Sequence, residues 1–98
     1  MIQEMLRQAV LGKKLVEFYY EGGIKVIEPH MVAYNRAGHI LLHGWFVRGD
    51  KKFGEEGWQD YMLAGISKLK SLPETFPKAR FGYDPLSNRK FCCIEFCL

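Results

Sequence analysis

Two glycine-bearing turns cut the first half of this chain into short β-prone pieces. Residues 15–20 read LVEFYY, followed by Glu21-Gly22-Gly23, and then Ile24, Val26 and Pro29. Alternating apolar residues on both sides of a turn that can take positive φ predict a β-hairpin. Residues 31–47 repeat the arrangement: MVAY, the turn Asn35-Arg36-Ala37-Gly38, and the apolar run HILLHGWFV. Successive tight hairpins force neighbouring strands to run antiparallel, so they restrict the chain to a meander, roll or small barrel. Pro29 has no donor N–H and is expected at a strand end, an edge or a bulge.

The flanking segments fit that plan. Ile2, Met5, Leu6, Ala9 and Val10 recur at helical spacing, and Gly12 is a natural stop, so residues 1–12 are expected to form an amphipathic helix. A helix that short is marginal alone and must dock on the strands. Residues 49–57, GDKKFGEEG, read as a flexible loop. Trp58 to Leu63 and Ile66 to Leu72 are expected as further strands, which places the barrel strands within residues 15–72. Pro73 and Pro77 open an extended connector over 73–88 with turns at Asp84-Pro85 and Ser87-Asn88, and residues 89–98 supply a closing strand. The expected fold is mainly β (α+β): a small barrel of about five to seven antiparallel strands with one N-terminal helix, in a single domain over 1–98.

Composition agrees. With 98 residues, 48% hydrophobic and 26% charged, the chain can bury a core without disulfide or metal. Its aromatic share of 14% suits strands. The net charge of +3 permits an anionic partner without requiring one, and residues 1–57 hold eight Lys/Arg against seven Asp/Glu. Cys92, Cys93 and Cys97 cluster at the end of the chain, and no secretory h-region is present. A reducing cytoplasm is therefore expected, with the cysteines as buried free thiols, and no apolar run is long enough for a membrane helix.

The histidines do not suggest a metal. His39 and His43 would share a helix face, but Gly38, Gly44 and the preceding turn favour a strand. In a strand they stand ~13 Å apart, too far for one zinc ion. If Ile40 and Leu42 face the core, His39 and His43 face solvent or a partner. Cys92 and Cys93 are adjacent and would point to opposite strand faces, and there is no Cys-x2-Cys pair, so no cofactor is expected. His30 reads as a histidine satisfying a neighbouring backbone carbonyl. No paired-acid, Ser-His-Asp or phosphate-loop pattern suggests catalysis.

From Ala9 to about Pro85 the chain resembles the WYL domains, and within them a short stand-alone bacterial group. The resemblance rests on AVLGKKLVEFYY, Glu28-Pro29-His30, Gly38-His39 before an apolar strand, Gly57-Trp58, Tyr61, Leu63, Ile66, Phe76 and Arg80-x-Gly82-Tyr83, in that order. It implies an Sm-like, SH3-type β-barrel and a role in ligand or nucleic-acid sensing linked to transcription regulation. The namesake Trp-Tyr-Leu falls on Ile40-Leu41-Leu42, and the charged members of the later strand are replaced by Met62, Ala64 and Gly65. The barrel scaffold thus carries over more fully than the ligand face.

Together these readings give a non-enzymatic binding module. Its candidate surface is Tyr34, His39, His43, Trp45, Arg48, Trp58 and Tyr61. The tryptophans would stack bases, while Arg48 or Lys51 and Lys52 would hold phosphates of a single-stranded nucleic acid or nucleotide-like ligand. The alternative is an interaction module that forms a homo-oligomer, or binds a regulatory partner protein, through strand edges and the C-terminal tail.

Overall fold

The computed structural model describes residues 2–50, 57–84 and 91–98. Helix α1 (Ile2–Leu11) is followed by strands β1 (Lys14–Tyr20), β2 (Gly23–Asn35), β3 (Ile40–Gly49), β4 (Trp58–Met62), β5 (Ser67–Thr75) and β6 (Phe91–Cys97). A 3₁₀ turn at Leu63–Gly65 separates β4 from β5. All six strands belong to one antiparallel sheet in the order β4-β3-β2-β1-β5, with β6 also paired to β2. The path is open: among the described residues β4 and β5 do not pair.

The first hairpin closes as its residues dictate. Glu21 and Gly22 both take positive φ (50° and 80°), the signature of a two-residue type I′ turn, and Tyr20 pairs with Gly23. In the second turn the Asn35 side chain holds the backbone. Its Oδ1 accepts hydrogen bonds from the N–H of Ala37 (3.0 Å) and of His39 (2.9 Å).

The two expected strands around Pro29 are one strand of 13 residues. Pairing with β3 runs Pro29↔Gly44 and then Met31↔His43, so His30 is an extra, bulged residue. The bulge explains how Pro29 can lie within a long strand. It also allows β2 to serve two neighbours, β1 at residues 23–27 and β6 at residues 31–35. Strand β5 runs to Thr75, three residues past the expected end, with a slipped register beside Lys68, whose φ is 53°.

The central strands are buried on both faces. On one face Val16, Phe18, Ile27, Val32, Leu42, Phe46 and Tyr61 form the main core. Helix α1 completes it with Leu6 and Ala9. Fully burying a side chain such as Leu6 contributes about 1.5–3 kcal/mol, more than a ten-residue helix gains from its own backbone. The helix ends with Lys13, not Gly12, in the left-handed region (φ 51°).

The opposite face carries two smaller clusters. Leu15, Val26 and Phe76 form one; Met31, Ala33 and Phe91 form the other. This covering corrects two expectations. His43 does lie opposite Leu42, as strand alternation requires, but it is 8% exposed because Phe91 and the segment after β5 cover that face. Tyr61 is 2% exposed within the main core and belongs to no surface.

The thiols also differ from expectation. Cys92 and Cys93 are exposed and Cys97 is half-buried. Pairing of β6 with β2 skips from Asn35↔Phe91 to Tyr34↔Cys93, which leaves Cys92 as an extra residue. The slip breaks the alternation, and the two sulfurs stand 2.9 Å apart instead of on opposite faces. Among the described residues no helix is long and apolar enough to cross a membrane. The expected turn at Ser87-Asn88 and most of the 49–57 loop lie outside the described residues.

Candidate functional site

The second face of the sheet holds an aromatic and charged cluster. Strand pairing begins it. His43 lies directly opposite Asp60, and Trp45 opposite Trp58, so four side chains project to one side of the β3–β4 ladder. The His43 Nδ1 is 2.6 Å from Asp60 Oδ1. The imidazole lies parallel to the Trp58 ring, with centroids 4.9 Å apart and planes 3° from parallel. Trp45 meets Trp58 edge to face at 5.5 Å.

The bulge on β2 adds His30, which is completely buried. Both of its nitrogens are used. Nδ1 donates to the Glu28 carbonyl (2.8 Å), and Nε2 accepts the Arg80 backbone N–H (3.0 Å). This pairing fixes a neutral imidazole with its proton on Nδ1. Burial pushes the His30 pKa down, partly offset by the hydrogen bond to the Glu28 carbonyl. The carbonyl interaction is the role that the sequence gives this residue.

The segment after β5 then folds over the ring cluster. Phe76 stacks on His30 at 5.2 Å, and Tyr83 packs against both Trp58 and His30. The Tyr83 hydroxyl donates to the His30 carbonyl at 3.2 Å. Burial raises the pKa of that phenol, and the neighbouring Cys97 raises it further, so Tyr83 stays protonated across the neutral range. Arg80 projects back over the sheet. Its Nε and Nη2 donate to Glu28 Oε1 (2.8 Å) and Oε2 (3.1 Å), and its guanidinium carbon sits 4.9 Å from the Trp45 ring centroid. Glu28 is 6% exposed, while the Arg80 side chain keeps nearly half its surface. A pocket of about 320 Å³ opens here, lined by Glu28, Phe76, Lys78, Arg80 and Phe81. Phe81 is 100% exposed.

The structure brings together three of the seven residues expected at the site: His43, Trp45 and Trp58. The others are dispersed. His39 is exposed before β3, and Tyr34 is half-buried on β2. Arg48 is exposed at the far end of β3, where it forms two hydrogen bonds with Glu74 (3.0 and 2.5 Å). Tyr61 is in the main core. Both tryptophans already have partners within the fold, Arg80 over the Trp45 ring and His43 and Tyr83 on Trp58. Lys51 and Lys52, the expected phosphate holders, lie outside the described residues.

Glu28, His30, Phe76, Arg80 and Tyr83 were not expected at the site. Their signal was present in the tripeptide Glu28-Pro29-His30 and the turn Arg80-x-Gly82-Tyr83. Both stretches belong to the resemblance drawn from the sequence, but nothing in their spacing shows that they meet across about fifty residues.

Comparison with known proteins adds one partial similarity. The chain is similar to the vacuolar-sorting protein SNF8 of Rattus norvegicus and of Homo sapiens, at 34% identity over 64 residues. It is 33% identical to SNF8 of Danio rerio over the same length. Each match covers 61% of this chain and 25% of the relative, so the chain spans about a quarter of the length of the curated relatives it matches. No family model matches the chain. No solved structure matches it.

Proposed function

We propose that this protein is a non-enzymatic binding module of WYL type. Its ligand is a nucleotide-like anion or a short stretch of single-stranded nucleic acid. It binds at the Arg80 end of the aromatic cluster and reports the event to a regulatory partner. In this reading the open sheet is an Sm-like, SH3-type barrel completed by the edges of β4 and β5, and the protein works in the cytoplasm, which suits its free thiols.

One observation carries the proposal. Arg80 is pre-oriented by Glu28 and Trp45, yet nearly half of its side-chain surface stays in solvent, in a pocket shared with Lys78 and the fully exposed Phe81. Two cations, one of them shared with Glu28, and a bare ring around a pocket suit a ligand with a flat base and a phosphate. Holding Arg80 in place beforehand reduces the entropy lost on binding. Binding rather than catalysis fits His30, because both ring nitrogens are committed inside the fold and neither is left to move a proton.

The test is intrinsic tryptophan fluorescence during titration with DNA and RNA oligonucleotides and with mononucleotides, at low and moderate salt. Trp45 and Trp58 are the only tryptophans, and Arg80 lies on Trp45, so a ligand that engages Arg80 changes the emission. Saturable quenching that weakens with salt, and at least ~10-fold weaker binding by Arg80→Ala, supports the reading. A flat response from folded protein at low salt removes it.

A second reading is an assembly module. The outer edges of β4 and β5 carry no partner strand among the described residues, and β6 exposes Ile94. Edge pairing between copies would give a concentration-dependent mass that salt does not reduce.

A further inference from the structure

The thiols on β6 form an arrangement that an ordinary strand does not produce. Adjacent strand residues project to opposite faces. Here the slip at Cys92 turns both side chains to the same side, and the Cys92 and Cys93 sulfurs lie 2.9 Å apart, with both residues exposed to solvent. Cys97, the third thiol, is half-buried against the cluster of Met31, Ala33 and Phe91.

We propose that Cys92 and Cys93 form a two-thiol clamp for a soft, thiophilic centre, of which a trivalent arsenical is the simplest example. The geometry favours this over a disulfide. Neighbouring Cα atoms are ~3.8 Å apart across a trans peptide, whereas disulfides span roughly 4.4–6.8 Å. A Cys92–Cys93 disulfide would therefore be strained and readily reduced. An atom placed between the sulfurs relieves that constraint, because each thiolate can reach a common centre at ~2.3 Å, a normal metal–sulfur length, while the sulfurs stay apart. The hydrogen bond shared with Cys92 raises the Cys93 pKa, which favours its thiol over the thiolate and slows oxidation.

The reaction balances without an oxidant. An organoarsenic oxide, R–As=O, meets two thiols. Two As–S bonds form, the arsenic–oxygen bond breaks, and the oxygen leaves as one water carrying both thiol protons. Arsenic stays trivalent throughout.

Phenylarsine oxide is the probe. Intact mass measurement and thiol counting on the folded protein should show that one equivalent consumes two of the three thiols and adds one phenylarsenic group. Peptide mapping with iodoacetamide should find Cys92 and Cys93 blocked and Cys97 free. The adduct should persist in excess monothiol and release to a small dithiol. Cys97→Ser should bind like the parent chain, while Cys92→Ser and Cys93→Ser should each lose about 10²–10⁴-fold in affinity, the usual advantage of two linked contacts. An adduct that requires Cys97, affinity unchanged in Cys92→Ser, or no adduct at one equivalent would overturn the clamp. The mapping result depends on no variant, so a variant that fails to fold leaves the test intact.

Discussion

Arg80 and Glu28 lie 52 residues apart in the chain and meet through two side-chain hydrogen bonds of 2.8 and 3.1 Å. The fork geometry is one that arginine can make and lysine cannot. It ties the segment after β5 to the middle of β2. Arg80→Ala leaves the buried Glu28 carboxylate without its fork. Removing one partner of a fully buried pair costs about 3–5 kcal/mol, but the Arg80 side chain is nearly half exposed and solvent can replace part of it. The expected loss is about 1–3 kcal/mol in urea unfolding. Arg80→Lys should restore less than half of it. A double-mutant cycle with Glu28→Gln should give a coupling of ~0.5 kcal/mol or more; coupling near zero would mean that the pair does not hold the segment.

His30 makes stability depend on pH. Its folded pKa lies below the ordinary value of 6.5, chiefly through burial, with Glu28, His43 and Arg80 as its charged or titratable neighbours. The unfolded chain therefore binds a proton that the folded chain resists. Stability from this group is complete above about pH 6.5 and declines as the pH falls from there towards the lower folded value. The midpoint of urea unfolding should drop between pH 7.5 and 5.5, and the drop should shrink in His30→Gln. An equal pH slope in that variant would assign the effect to other groups.

The hairpins were legible in the sequence because each rests on local chemistry. Glu21-Gly22 takes its positive φ wherever the rest of the chain goes, and Asn35 needs only its own backbone neighbours. The helix was legible from its spacing for the same reason. The site was only half legible. Alternation places His43 opposite Leu42, but it cannot say whether the second face meets water or a covering segment. That depends on Phe76, Arg80 and Tyr83, which return from far along the chain. The bulges at His30 and Cys92 were hidden for a related reason: a bulge belongs to the pairing of two strands, and neither strand alone encodes it.

Gly44 marks a close backbone approach. A Cβ there would sit 2.5 Å from the Glu28 carbonyl oxygen and 2.6 Å from Ile27 Cγ2, and the oxygen belongs to the strand backbone beside the His30 bulge. Gly44→Ala should destabilise by about 1–3 kcal/mol or more through overpacking, and should disturb His30 because Glu28 O accepts its Nδ1 proton. Gly22→Ala has open space around it and should cost only the ~1–2 kcal/mol of left-handed backbone. Thermal melts of the two variants, with the histidine ring resonances as a second readout, separate the causes. A His30 signal unchanged in Gly44→Ala would show that the sheet absorbs the methyl elsewhere.

Phe76 and Phe81 separate what holds the covering segment from what it offers to a ligand. They are five residues apart, but Phe76 is buried and stacked on His30, whereas Phe81 touches solvent over its whole surface. Phe76→Ala empties a packed position and should cost about 3–5 kcal/mol. Phe81→Ala removes no buried surface and should leave unfolding within about 0.5 kcal/mol of the parent. Its effect should appear in the nucleotide titration instead, because an exposed ring beside Lys78 and Arg80 is available for a base. Stacking of one base is worth ~1–3 kcal/mol, so the expected loss of affinity is roughly 5- to 150-fold. A Phe81→Ala protein with parental stability and parental affinity would show that no base stacks on Phe81.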